Sequence, residues 1–177
     1  MTATASAIRP ARTEDAPALL ALQQVLDRET EFMLLEPGER APDPGPLAER
    51  LAACADGRDP SFVLLAPAGA TVAGYVDVTV LPYARARRTG YLVAGVRGES
   101  GGRGLGRSLL LAAVREARSR GLRRLELTVM EHNRRALGLY LSCGFQVEGL
   151  RRDALDLPGR RVGEYYMGLL LDGPAGG

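Results

Sequence analysis

The chain contains no lysine: all 23 basic residues among its 177 are arginine. That excludes a lysine nucleophile, a Schiff base and a lysine phosphate anchor. The bias runs through the loops together with alanine and glycine, so it reads as overall composition. Two cysteines, Cys54 and Cys143, and a single histidine, His132, are too few for a Cys/His zinc site or a disulfide framework. A reducing compartment fits, and no metal is expected. No stretch reaches the roughly 18 apolar residues of a membrane span. The start MTATASAIRP lacks a charged segment followed by an apolar run, so a cytoplasmic location is expected. Net charge is +2, from 23 basic and 21 acidic residues, which gives no general signature for nucleic acid or an anionic membrane. Any anion site must therefore be local.

What is present suits one domain over residues 1–177, with a core at about 6–171 and a mobile tail, DGPAGG. After a short apolar entry at 7–10, Thr13 or Asp15 is placed to cap a helix carrying Leu19, Leu22, Val25 and Leu26 on one face. An acidic segment, DRETEFMLLEPGER, and the proline-rich APDPGP lead to a second helix at 47–55. Alternation at 62–65 and 71–80 predicts an antiparallel hairpin, and 91–96 a further strand interrupted by Gly95. A glycine there marks a bulge or a close approach. Leu105, Leu109, Leu110, Ala113, Val114 and Ala117 share one helical face. Leu125, Leu127 and Val129 then alternate as a strand, and Asn133 caps a helix running to about 141 that Gly144 closes. A last hairpin, 145–150 and 162–170, turns at DLPGR. The expectation is an α+β domain, a three-layer arrangement on one mixed sheet.

Four glycines and two arginines in GGRGLGRS, residues 101–108, run straight into the apolar helix. A helix start leaves amides unpaired and carries the positive end of the dipole, so a strand-loop-helix junction suits phosphate. Gly102, Gly104 and Gly106 clear the approach, and Arg103 and Arg107 add charge and forked donors. The bland alternative is a flexible connector. The loop also approaches the nucleoside triphosphatase pattern G-x-x-x-x-G-K-[ST], with Arg107 in the lysine's place and no obvious partner aspartate after a following strand.

The run LVAGVRGESGGRGLGRSLLLAAVREA followed by LELTVMEHNRRALGLYLSCGFQVEG resembles the GCN5-related N-acetyltransferase (GNAT) superfamily. It carries the loop [QR]-x-x-G-x-[GA] and then N-x-x-A-x-x-x-Y-x-x-x-G-F, here Asn133, Ala136, Tyr140, Gly144 and Phe145. The resemblance is specific over 88–150 and extends loosely to both ends. It implies a mixed sheet whose two central parallel strands splay, with acetyl-coenzyme A in the opening. The main chain of Ala94, Gly95 and Val96 would bond the pantetheine as an added strand. Gly102, Arg103, Gly104, Leu105, Gly106 and Arg107 would wrap the pyrophosphate. Asn133 would cap its helix and orient the pantetheine arm, and Tyr140 would donate to the departing thiolate. The competing role for Tyr140 is core packing on Phe145.

Two positions depart from the pattern. Gly101 stands where the loop usually opens with glutamine or arginine, so one side-chain contact is lost while the main-chain cradle stays. Thr128 stands where some protein N-terminal acetyltransferases have a basic glutamate, which leaves the base unassigned among Asp77, Glu126, Glu131, Asp27, Glu29, Glu31 and Glu36, most of them expected at the surface. His132 is expected to be exposed and silent, and Cys143 a small packed residue without an activating partner. The reaction implied is direct attack of a primary amine on the thioester in a ternary complex. A catalytically idle coenzyme A-binding regulatory module is the alternative. Expected partners are a small-molecule amine or a peptide N-terminus, with a homodimer admissible and neither nucleic acid nor membrane required. DRETEFMLLEPGER, the loop PYARARR and the last hairpin form the expected acceptor surface, whose carboxylates, Glu39 included, point to a cationic acceptor.

Overall fold

The computed structural model describes residues 8–171. Ala7 of the apolar entry and the DGPAGG tail lie outside the described residues. Seven strands share one sheet in the order β1-β2-β3-β4-β5-β7-β6. They are β1 (Arg9–Pro10), β2 (Phe62–Ala68), β3 (Thr71–Val80), β4 (Thr89–Val96), β5 (Arg124–Met130), β6 (Gln146–Leu157) and β7 (Arg160–Leu170).

Period-two alternation divides the apolar side chains between the two faces. Phe62, Leu64, Val76, Val78, Leu125 and Leu127 face α3 (Leu105–Ser119), whose Leu109, Leu110, Ala113, Val114 and Ala117 complete that core. Tyr140 and Leu139 of α4 (Arg134–Ser142) pack against the same core. Val63, Leu65 and Tyr75 face the opposite way, against Leu19, Leu22 and Leu26 of α1 (Ala16–Glu29) and Leu51 of α2 (Gly45–Ala55). Each fully buried leucine contributes roughly 1.5–3 kcal/mol, so both layers hold to the sheet by burial.

The geometry that matters lies at the centre. β4 and β5 run parallel but pair only at Thr89↔Arg124, Gly90↔Leu125 and Tyr91↔Glu126. Beyond that point β4 stays with β3 as far as Val96↔Gly74, while β5 stays with β7 as far as Met130↔Glu164. Each strand follows its other neighbour, and a V opens between them.

Several expectations change in detail. Asp15 does sit before α1, but its carboxylate accepts from the Arg12 amide (2.7 Å) and from the Arg9 guanidinium (2.7 and 2.8 Å) instead of an α1 amide. Thr13 belongs to a short 3₁₀ turn, Thr13–Asp15. β6 runs seven residues beyond position 150, because an exposed edge strand needs no apolar alternation through Arg151, Arg152 and Asp153. α4 ends as its glycine requires. Gly144 has φ 94°, its amide reaches the Leu141 carbonyl (3.0 Å), and the Phe145 amide reaches that of Tyr140 (3.1 Å).

Candidate active site

A cleft of about 570 Å³ opens at the mouth of the V. Ala94, Gly95 and Val96 form one wall; their main chain is paired to β3 on one side and free of β5 on the other. Gly95 causes no bulge, since the β3–β4 register runs through it unbroken. It is a close approach: a Cβ there would stand 2.5 Å from Leu26 Cδ1 of α1 and 3.0 Å from Tyr75 Cε1.

The next wall is the glycine loop. Gly102 (φ 77°) and Gly104 (φ 80°) take the left-handed conformation that side chains disfavour, and this turns the chain into α3. The first amide within α3 to find a helix-type acceptor is that of Ser108, on the Gly104 carbonyl (3.0 Å). The amides of Leu105, Gly106 and Arg107 are thus left without intrahelical partners at the positive end of the dipole. Gly106 serves a different purpose. A Cβ on it would meet Leu139 Cδ2 at 3.2 Å, so its smallness lets α3 lie against α4.

The far wall comes from α4. Asn133 Oδ1 accepts the Ala136 amide (3.1 Å) and caps the helix. Tyr140, two turns on, lines the cleft and meets the Phe145 ring edge-on at 5.9 Å between centroids, so packing and cleft lining coexist. Burial pushes its phenol up to about 12.

The cleft therefore brings together Tyr140 and every residue the resemblance assigned to the cofactor except Arg103, which is not on its wall. Arg107 is on the wall, but its Nη1 is spent on the Ser142 carbonyl (3.1 Å) and hydroxyl (2.9 Å). Of the two loop arginines, Arg107 alone is on the wall, with one of its donor nitrogens engaged by Ser142. Sequence reasoning missed Arg97 and Arg135, which line the cleft, and Leu26 and Met33, which reach it from the α1 side. Only the N-R-R-A string hinted at Arg135.

A second cavity, about 420 Å³, lies on the other side of Thr30 and Met33, which wall both. Its lining combines Leu34, Leu35, Met130, Leu155 and Leu157 with Asp27, Arg28, Glu31, Glu36 and Asp156. It is thus built by DRETEFMLLEPGER and the last hairpin. The loop PYARARR lines neither cavity, because it precedes the N-terminal end of β4 while the cleft lies at the other end.

The candidate bases are mostly committed elsewhere. Asp27 is not a surface charge: it is 4% exposed and clamped by Arg40 Nε and Nη2 (2.7 and 2.9 Å). Asp77 is held bidentately by Arg50, and Glu126 takes Arg124 Nε at 2.9 Å. Glu131 accepts the Gly163 amide (2.9 Å), and Glu29 accepts the Gly98 amide (3.1 Å). Glu31 lies 3.0 Å from His132 Nε2 and takes Arg160 Nη2 at 2.8 Å. His132 is therefore half-buried, not exposed; its ring also packs on Phe32 at 5.0 Å. Thr128 Oγ1 is hydrogen-bonded to Tyr91 Oη (2.8 Å) across the V. Cys143 has no histidine near it, and its Sγ is 4.0 Å from Ser142 Oγ. Among the described residues no group of His, Cys, Asp and Glu is arranged to hold a metal, and no helix is long and apolar enough to cross a membrane.

The sequence profile of the acetyltransferase (GNAT) family matches residues 22–145. An acetyltransferase of the GNAT family from Streptococcus pneumoniae superposes with a TM-score of 0.87 at 30% identity, covering 93% of this chain and 98% of that one. The structure of yncA from Salmonella typhimurium, which holds its cofactor acetyl-coenzyme A, gives 0.83 at 24% identity, over 97% and 96%. Ribosomal-protein-alanine N-acetyltransferase from Brucella melitensis gives 0.80 at 26%, over 93% and 99%. No curated protein sequence matches significantly.

Proposed function

The chain belongs to the acetyltransferase (GNAT) family, and on that premise we propose that it is an acetyl-coenzyme A-dependent N-acetyltransferase acting on a primary amine of a small molecule or a protein N-terminus. The observation that supports this most is the convergence on one cleft of the free β4 main chain, the unpaired α3 amides and Tyr140. Acetyl-coenzyme A supplies the acyl group as a thioester. The similar Salmonella structure holding that cofactor supports the choice.

In this reading the amides at the start of α3 bind the diphosphate, and Ala94–Val96 offer main-chain donors and acceptors to the pantetheine arm. The amine enters through the second cavity, where Glu36 and Asp156, in no ion pair among the described residues, favour a cation. Its nitrogen lone pair attacks the carbonyl carbon, the carbon–sulfur bond breaks, and the amine gives up a proton while the sulfur gains one. Tyr140 holds the departing sulfur by a hydrogen bond. It does not surrender its proton: from a phenol at about 12 to a thiol of about 8.5 the transfer is uphill by about 5 kcal/mol.

The test is calorimetric titration with acetyl-coenzyme A and ATP, followed by turnover against polyamines, aminoglycosides, amino acids and N-terminal peptides. Coenzyme A binding with turnover of any amine is expected. ATP binding without coenzyme A binding would end the proposal, and binding without any turnover would leave the idle module.

A further inference from the structure

A diphosphate in the cleft calls for cationic donors, and the arginines around the glycine loop differ in whether they line the cleft and in what they already bind. Arg103 is off the wall, Arg107 is bonded to Ser142, and Arg97 is paired with Glu99 at 3.1 Å. Arg135 remains. It lies on the first turn of α4, lines the cleft, and makes no hydrogen bond or ion pair with its guanidinium among the described residues.

Its place relative to Gly101 is informative. Gly101 has φ −70° and ψ 161°, extended backbone open to any residue, so conformation does not demand glycine there. Space does. A Cβ at 101 would stand 3.0 Å from Arg135 Nη2, 3.6 Å from Nη1 and 3.1 Å from the Gly98 carbonyl oxygen. The guanidinium fills the volume that a side chain at 101 would need.

We propose that Arg135 is the side-chain donor for the diphosphate of acetyl-coenzyme A, delivered from α4 across Gly101 onto the loop. This rests on the function proposed above. A guanidinium offers a planar fork that meets phosphate bidentately, and Arg135 lines the same cleft as the unpaired α3 amides. Glycine at 101 leaves the Arg135 guanidinium the room it occupies, so the two act as one recognition unit.

The experiment is isothermal titration of the full chain with coenzyme A, 3′-dephospho-coenzyme A and phosphate-free pantetheine. Arg135→Ala weakens both nucleotide forms by an equal factor, about tenfold to a hundredfold, and leaves pantetheine unchanged. Arg135→Lys, which keeps the charge without the fork, falls between. Arg134→Ala removes the same charge from an exposed neighbour on neither cavity wall and changes affinity less than threefold. Gly101→Gln lowers affinity in the wild-type chain by displacing the guanidinium, and raises it in the Arg135→Ala background, where its amide takes the vacated volume. Arg135→Ala binding within twofold of wild type overturns the assignment, as does Gly101→Gln acting alike in both backgrounds. A loss seen only with the 3′-phosphorylated form moves the contact to that phosphate and overturns it too. If the wild-type chain binds no coenzyme A, the function and this assignment fall together. Wild-type binding with an unaffected variant removes this assignment alone.

Discussion

The two cavities that meet at Thr30 and Met33 are made of different material. The cleft at the V takes six of its lining residues from glycine, which opens the main chain of β4 and of the loop, and a helix start presents amides there. The second cavity is lined by apolar and charged, mostly acidic, residues from the end of α1, the segment after it, Met130 and the last hairpin. Main-chain recognition suits a cofactor that never changes. Side-chain recognition can be rewritten for each acceptor while the scaffold stays the same.

The sharpest way to break this contrast is at the point where both halves must cooperate. Tyr140→Phe is expected to lower kcat by about 10²- to 10³-fold, the range for a lost hydrogen bond to developing negative charge, with coenzyme A affinity nearly intact. A loss under threefold, measured in steady state beside a titration, would make Tyr140 a packing residue. Next comes Arg40→Ala, which strands the buried Asp27 carboxylate. Removing one partner of a buried pair costs about 3–5 kcal/mol, and the part-exposed Arg40 brings the expected loss down to about 2–3 kcal/mol by urea denaturation. The amine KM should rise because the segment walling the second cavity is released, and coenzyme A affinity should hold. Gly104→Ala does the reverse. Forcing a side chain into φ 80° costs about 1–2 kcal/mol, so coenzyme A should bind about 5- to 30-fold more weakly, with the amine KM steady. Equal effects on both substrates in either variant would erase the distinction.

A last expected effect is in pH. Deprotonating an alkylamine of pKa about 10.4 at pH 7 costs roughly 4.6 kcal/mol, against about 1–1.4 for an α-amine. With the candidate carboxylates other than Glu36 tied to guanidinium, imidazole or amide groups, kcat/KM for an alkylamine should climb steeply toward pH 9, and for an α-amine level off near its own pKa. Burial raises the Tyr140 phenol to about 12, so its protonated, donating form persists and the α-amine profile should show no alkaline fall below pH 10. A flat alkylamine profile above pH 6.5 would reveal an efficient base.

The same contrast governs what the sequence made legible. Main-chain features write themselves locally: the glycine loop, the Asn133 cap, the Tyr140 spacing and the Gly144 turn all sit within a few residues of their effects. Side-chain partnerships join distant stretches, as Glu31 joins His132 and Asp77 joins Arg50, and no periodicity announces them. Arg135 was hidden for that reason. It matters only once α4 folds back over Gly101. The extension of β6 was hidden for another: an exposed edge strand lacks the apolar alternation that marks buried ones.

The joint between α3 and α4 carries a mechanical consequence. Gly106 against Leu139, and Arg107 on the carbonyl and hydroxyl of Ser142, rivet the start of one helix along the length of the other. The loop that would grip the anionic end of a long cofactor and the tyrosine that would meet its sulfur therefore behave as the two jaws of a caliper with a fixed gap. A bulky residue at 106 would not merely weaken the grip; it would reset the gap, so that a cofactor held firmly at one end arrived out of reach at the other.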